Sequence, residues 1–112
     1  MSIQVDERLI QTDHEGFLLD PGDWNEEVAE EIARREGLEL TDDHWKIIQF
    51  ARDYYDEHFF VVEMRDVLKY VAEELGQGSN AKKRLFKLFP YGFVKQACKI
   101  AGLKRPRSWS SG

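Results

Sequence analysis

The stretch LTDDHWKIIQFARDYYDEHFF, residues 40–60, predicts the longest helix of the chain. Thr41 is a favourable N-cap residue, and Asp42 and Asp43 follow it in the first turn, where their negative charge matches the positive end of the helix dipole. Apolar side chains then recur every three or four residues, which is typical of a helix with one face in a core. The predicted inward face consists of Trp45, Ile48, Ala51, Tyr55 and Phe59.

The residues before this helix predict a hairpin and a first helix. Short apolar runs broken by acidic residues and glycine indicate a small β-hairpin around residues 6–8. Further on, Asp23 has the position of an N-cap, and Glu26 follows at the spacing of a capping box. Trp24 begins the apolar stripe of this first helix, and Gly37 ends it.

The residues after residue 60 predict three more helices and a tail. The first of them covers residues 63–75 and ends at Gly76. The last lies in PYGFVKQACKIAG, residues 90–102, and the tail LKRPRSWSSG is too polar and too short to fold alone. In the short helix between these two, the residues predicted to point inward are Leu85, Phe86 and Phe89.

Length and composition predict one cytoplasmic domain. The chain has 112 residues, and we expect a mainly α domain of about five helices over residues 1–103 and a flexible basic C-terminal arm over 104–112. A single cysteine excludes an intramolecular disulfide, and the three histidines have no thiol pair nearby, so no metal site or cofactor is predicted. The sequence has neither a signal-peptide pattern nor an apolar run long enough to span a membrane.

The charge of the chain is divided unevenly between its two ends. Residues 1–74 carry 21 acidic and 7 basic side chains, a net −14, whereas residues 75–112 carry 9 basic side chains and no acidic one, a net +9. Together they give the net charge of −5. The basic end can bind phosphate or an acidic partner, or it can be a solvated surface that packs against the acidic part of the same chain.

The only cysteine, Cys98, lies on the last predicted helix beside two lysines. At about 100° per residue it falls on the border of the buried face, where it could be a small core residue or a reactive thiol. Lys95 and Lys99 favour the nucleophilic thiolate, whereas the negative end of the helix dipole disfavours an anion. These effects are similar in size, so the sequence leaves the direction of the pKa shift of Cys98 open.

Three motifs in this order resemble the DsrC/TusE family: ELTDDHWKII at 39–48, LFPYG at 88–92 and KQACKIAGL at 95–103. The similarity extends over nearly the whole chain and includes the pair Asp23–Trp24. The family comprises the gamma subunit of dissimilatory sulfite reductase and DsrC-like sulfur-relay proteins. The resemblance implies an orthogonal, helix-turn-helix-like bundle with a small N-terminal β-hairpin and a C-terminal arm. It also implies a protein that carries sulfur covalently on cysteine and passes it to other proteins.

The arm departs from the pattern of the family. In the family the carrier cysteine is the penultimate residue of the arm, and here Trp109 occupies the matching position, eleven residues past Cys98. Cys98 matches the inner cysteine of two-cysteine DsrC proteins, which TusE-type proteins lack. The resemblance therefore leaves Cys98 as the candidate sulfur-bearing thiol, with no second thiol for exchange. The residues predicted to bind a partner are Lys95, Lys99, Lys104, Arg105, Arg107 and Trp109.

Three functions stay open at this point. Cys98 could bear a persulfide, which would make the chain a sulfurtransferase-type carrier that acts with partner proteins. Alternatively, the chain could be a non-catalytic regulatory paralogue that keeps the docking surface. For both, the resemblance implies dissimilatory sulfite reductase or DsrEFH- or TusBCD-type relay proteins as partners. The third is DNA binding, which the acidic first two thirds of the chain oppose. Its candidate residues are the basic cluster Lys82, Lys83, Arg84 and Lys87 and the basic tail Lys104, Arg105 and Arg107.

Overall fold

The computed structural model describes residues 2–59 and 61–103, without the side chain of Val94. These residues form five helices and one two-stranded antiparallel sheet, which confirms the predicted mainly α class with an N-terminal hairpin. None of the helices in this part of the chain is both long and apolar enough to cross a membrane. The elements are β1 (Ser2–Val5), β2 (Arg8–Gln11), α1 (Glu26–Arg35), α2 (Asp42–His58), α3 (Met64–Glu73), α4 (Ala81–Leu88) and α5 (Phe93–Cys98).

The hairpin covers one end of the helical core. Ile3 of β1 lies opposite Ile10 of β2, and both side chains are buried together with Val5. Asp6 takes a left-handed conformation in the turn, with φ 54°, which aspartate tolerates better than most residues. The buried side of the hairpin packs on α1.

Helix α1 begins two residues later than predicted, because Asn25 and not Asp23 is its N-cap. The Asn25 Oδ1 atom accepts a hydrogen bond from the Val28 N–H at 2.8 Å. Asp23 instead ends a short 3₁₀ turn, in which the Asp20 carboxylate accepts from the Gly22 N–H at 2.9 Å. Trp24 therefore lies between the turn and the helix, where its side chain can reach the C-terminal end of the domain.

Helix α2 begins as predicted after its N-cap Thr41, but its C-terminal end holds a correction. His44 lies in the first turn and is buried: its Nδ1 accepts from the Thr41 N–H at 3.0 Å, and its Nε2 donates to the Leu88 carbonyl at 2.8 Å. At the other end, Phe59 is 81% exposed, although it was predicted to point inward. Phe59 is the left-handed C-cap, with φ 62°, so it no longer follows the helical periodicity.

The neutral state of His44 should make the stability of the domain depend on pH. Burial lowers the pKa of His44 and the nearby Arg84 lowers it further, whereas the Leu88 carbonyl and Asp43 act in the opposite direction. A group whose pKa is lower in the folded than in the unfolded state stabilises the fold at pH values above its unfolded pKa, which for histidine is about 6.5. This stabilisation is lost as the pH falls through the pKa of the folded state.

We expect the urea midpoint of the wild-type chain to fall below pH 6.5 more steeply than that of His44→Asn. The asparagine oxygen keeps an acceptor for the Thr41 N–H but does not titrate. Urea unfolding at several pH values between 7.5 and 5 measures both curves, and parallel curves would show that His44 does not titrate in this range.

Helix α4 places a different set of residues inward than predicted. Its buried residues Ala81, Leu85 and Leu88 follow the i, i+4, i+7 spacing of one helical face. Phe86 lies one residue past Leu85 and is 51% exposed, which contradicts its predicted inward position. Phe89 is buried as expected, because it follows the helix and packs edge to face against His44 with ring centroids 5.1 Å apart.

Candidate functional site

Cys98, the candidate sulfur-bearing thiol, is sealed in the core of the domain. It lies at the end of α5, and its relative exposure is 0%. Burial raises the pKa of its thiol to about 12. The thiolate is the nucleophilic form of cysteine, so this thiol is protonated and unreactive at neutral pH as long as the domain stays closed.

The predicted border position of Cys98 is wrong: α5 is wound as a π-helix, and every described side chain from 93 to 101 other than Lys95 and Lys99 is buried. A π-helix closes its hydrogen bonds over five residues instead of four, so that each residue advances by less than 100° around the axis. The helix ends in a different pattern, a Schellman C-cap: Gly102 is left-handed with φ 73°, and the Leu103 N–H donates to the Cys98 carbonyl at 3.1 Å. The wider winding keeps Phe93, Ala97 and Cys98 together on the buried side.

The two lysines beside Cys98 lie in one groove but differ in their surroundings. Lys95 is exposed and Lys99 is half-buried, and together with Glu15 and Phe17 they line a groove of about 260 Å³. The Lys99 Nζ lies 3.4 Å from a Glu36 carboxylate oxygen and 5.5 Å from the centroid of the Phe17 ring. Burial alone accounts for the pKa shift of the thiol, so the lysines do not activate it.

The remaining residues predicted to bind a partner follow Leu103, the last described residue, which is buried. Lys104, Arg105, Arg107 and Trp109 lie outside the described residues. Their predicted role therefore stays a prediction.

Two side chains from distant parts of the chain bind the backbone just after α5, at residues 100 and 101. Trp24 donates from Nε1 to the Ile100 carbonyl at 2.7 Å, and Arg52 donates from Nη1 to the Ala101 carbonyl at 2.7 Å. The Arg52 guanidinium also lies 3.7 Å from the centroid of the Trp24 ring, which is a cation–π contact. The last carbonyls of a helix have no partner within it, so these two donors act as a C-terminal cap.

Gly102 lets Trp24 cover this cap closely. A Cβ atom at Gly102 would lie 2.7 Å from the Trp24 Cγ, and the backbone has a left-handed φ of +73°. We call Trp24, Arg52 and Gly102 the arm clamp. No sequence pattern predicts the role of Arg52, because one charged residue at the edge of an amphipathic helix resembles any other solvated side chain.

The motifs that carry the family resemblance are joined to one another by hydrogen bonds. His44 of the first motif contacts the Leu88 carbonyl in LFPYG, as described above. Gln96 of the third motif is fully buried, and its side-chain oxygen accepts from the Tyr91 N–H at 3.0 Å. These hydrogen bonds therefore join the three motifs into one frame around α5, and none of them involves the Cys98 thiol.

Comparison with known proteins identifies the family of this chain. The family model described as "DsrC like protein" matches residues 4–109. The chain belongs to the DsrC-like family. The sulfurtransferase TusE homolog of Haemophilus influenzae is 44% identical over 97 residues, which cover 87% of this chain and 89% of the relative. Sulfurtransferase TusE of Escherichia coli is 40% identical over 97 residues, with the same coverage of 87% and 89%.

Solved DsrC structures share the fold over almost the whole chain. The oxidized gamma subunit of dissimilatory sulfite reductase (DsrC) from Archaeoglobus fulgidus aligns with a TM-score of 0.89 and 36% identity, covering 98% of this chain and 100% of that one. DsrC of Allochromatium vinosum aligns with a TM-score of 0.85 and 41% identity, with the same coverage. These similarities confirm the family and the fold that the motifs implied.

Proposed function

We propose that this chain acts in a sulfur relay or in sulfite reduction as a DsrC-like docking protein that holds no sulfur itself. It binds the partners of its sulfur-carrying relatives and thereby regulates or competes with them. The observation that carries this proposal is the complete burial of its only thiol, together with the pKa of about 12 that burial gives it. The position of the carrier cysteine of the family is occupied by Trp109, so no other thiol can take over.

The proposed partners follow from the relatives. Two proteins named as sulfurtransferase TusE or its homolog are 44% and 40% identical to this chain, and the gamma subunit of dissimilatory sulfite reductase from Archaeoglobus fulgidus is 36% identical and shares its fold. We infer that this chain docks to a DsrEFH- or TusBCD-type relay complex or to dissimilatory sulfite reductase. The groove beside Lys95 and Lys99 and the basic arm with Lys104, Arg105, Arg107 and Trp109 are the proposed contacts near α5.

A second candidate function is sulfur transfer by Cys98 itself. One observation favours it: the thiol lies in a π-helix, and π-helical segments occur frequently at functional sites. For this function α5 would have to open when a partner binds, because the closed domain admits neither a persulfide donor nor an acceptor.

We expect native Cys98 to resist both sulfur transfer and alkylation. Incubation with glutathione persulfide should leave the intact mass unchanged, and iodoacetamide should modify Cys98 roughly 1,000-fold more slowly than an exposed thiol, since reaction requires unfolding. Intact-mass spectrometry measures both reactions.

Two controls make this result decisive. The chain in denaturing urea should react at once, and Ser2→Cys places an exposed thiol on β1 that should react in the native protein. A stoichiometric sulfur adduct on native Cys98 would overturn the non-carrier proposal and establish the second candidate.

A further inference from the structure

The exposed side of α4 is strongly basic and carries an aromatic residue. Ala81, Leu85 and Leu88 anchor the helix in the core, and the opposite side turns Lys82, Lys83, Phe86 and Lys87 to solvent. Arg84 lies at the boundary between the two sides. We call Lys82, Lys83, Arg84, Phe86 and Lys87 the α4 basic face.

This face is concave where the loop before α4 meets the helix. Gln77 and Asn80 from the loop form a groove of about 390 Å³ with Lys83, Arg84 and Lys87. Residues 80, 83, 84 and 87 have the i, i+3, i+4, i+7 spacing of a single helical stripe. Two amide side chains and three cations therefore converge on one depression, which suits a group of anionic oxygens.

Most of these charges have no counterion within the domain. Arg84 pairs with Asp43 at 2.9 Å, whereas Lys82, Lys83 and Lys87 form no ion pair with residues 2–59 or 61–103. No residue from 75 to 112 is acidic. Lys83 and Lys87 are four residues apart on a short helix, where like charges repel each other and weaken the helix. An unneutralised cluster of this kind is complementary to a negatively charged partner.

The surroundings favour an acidic protein segment over a nucleic acid. Asp43 borders the basic face through its contact with Arg84, and Asp42 lies next to it at the start of α2, so a phosphate backbone continuing past the groove would be repelled. Eight helical residues span only about 12 Å, which suits a few carboxylates. Phe86, 51% exposed among the lysines, adds an aromatic anchor of the kind that protein interfaces bury.

We propose that the α4 basic face is the surface by which this chain binds its protein partner, and that the partner presents an acidic segment with an apolar side chain for Phe86. This inference rests on the proposed docking function, and it assigns the main contact to α4 rather than to the arm.

The test compares two double variants with the same charge change. Lys83→Glu/Lys87→Glu reverses the α4 basic face, and Lys46→Glu/Lys69→Glu reverses two exposed lysines on α2 and α3. Binding to a purified TusBCD-type relay complex and to dissimilatory sulfite reductase is followed by biolayer interferometry at 50 and 150 mM salt. We expect the α4 variant to lose about 10- to 100-fold in association rate at low salt, and the control to stay close to wild type. Circular dichroism verifies that both variants are folded.

A second measurement separates this inference from the docking function itself. The ¹⁵N-labelled chain is titrated with a ten-residue peptide of glutamate and leucine, and we expect shifts of the amides of residues 80–87. If a partner protein binds and the α4 variant binds equally well, the inference is overturned and the docking function stands. If no partner protein binds but the peptide shifts α4, the docking function fails and the surface assignment stands. Tighter binding of transfer RNA than of the peptide at 150 mM salt, lost in the α4 variant, would overturn the protein assignment in favour of RNA.

Discussion

Replacing Gly102 by alanine should lower the free energy of unfolding by about 3 kcal/mol, because two costs act at one position. Its φ of +73° is left-handed, which costs an L side chain about 1–2 kcal/mol. In addition, the new Cβ would lie 2.7 Å from the Trp24 Cγ and 2.9 Å from the Trp24 Cβ. The Trp24 ring cannot yield without losing its hydrogen bond to Ile100 and its contact with Arg52.

Gly37 provides the matched control for this prediction. Its φ of +76° is nearly the same, but no atom lies within 4 Å of a Cβ added there. Gly37→Ala should therefore cost only about 1–2 kcal/mol, the backbone contribution alone. Urea unfolding of the two variants and the wild type measures the loss of unfolding free energy in each variant. The difference between the two losses is the contribution of the contact with Trp24. Equal losses would contradict the close packing of the arm clamp.

The parts of the fold that the sequence predicted are those that depend on local chemistry. Thr41 with two following aspartates sets the start of α2, and the alternating apolar residues set the hairpin. Even here, a competing local turn moved the start of α1 to Asn25, because Asp20 stabilises a 3₁₀ turn before it. Local signals thus predicted which elements exist better than they predicted where each one begins.

The burial of Cys98 could not be predicted because it depends on how α5 is wound. The predicted border position follows from the 100° per residue of an α-helix, and a π-helix departs from that value without a composition signal of its own. The arm clamp was missed for a related reason. Trp24 and Arg52 contact residues 100 and 101 across 76 and 49 positions of the chain, and helical periodicity carries no information on contacts at such separations.

The motifs identify the hydrogen bonds that hold the candidate site together, but they do not identify its chemistry. His44, Trp24 and Gln96 are hydrogen-bonded to carbonyl or amide groups that fix the LFPYG loop and the end of α5. None of these contacts involves a thiol. The frame therefore needs no thiol, and the proposed docking function needs none of its own.

Because the frame does not depend on a thiol, we expect a single substitution to restore sulfur transfer. Trp109→Cys places a thiol at the position that the family resemblance assigns to the carrier cysteine, in a chain that aligns with DsrC at a TM-score of 0.89. When a TusBCD-type relay complex loaded with persulfide is added, the new thiolate should attack the outer sulfur, break the donor S–S bond and release the donor thiolate. We expect a gain of one sulfur atom per chain, against none for the wild type, by intact-mass and peptide mass spectrometry.

Glu57→Cys separates directed transfer from simple exposure of a thiol. It also adds an exposed thiol, but near the end of α2 and outside the grooves that Lys99 lines. A small donor such as glutathione persulfide should modify both variants, because it needs only an accessible thiolate. The loaded relay complex should modify Trp109→Cys alone, since protein-to-protein transfer requires a docked geometry that places the two sulfur atoms together. Transfer to both variants, or to neither, would contradict a retained docking frame.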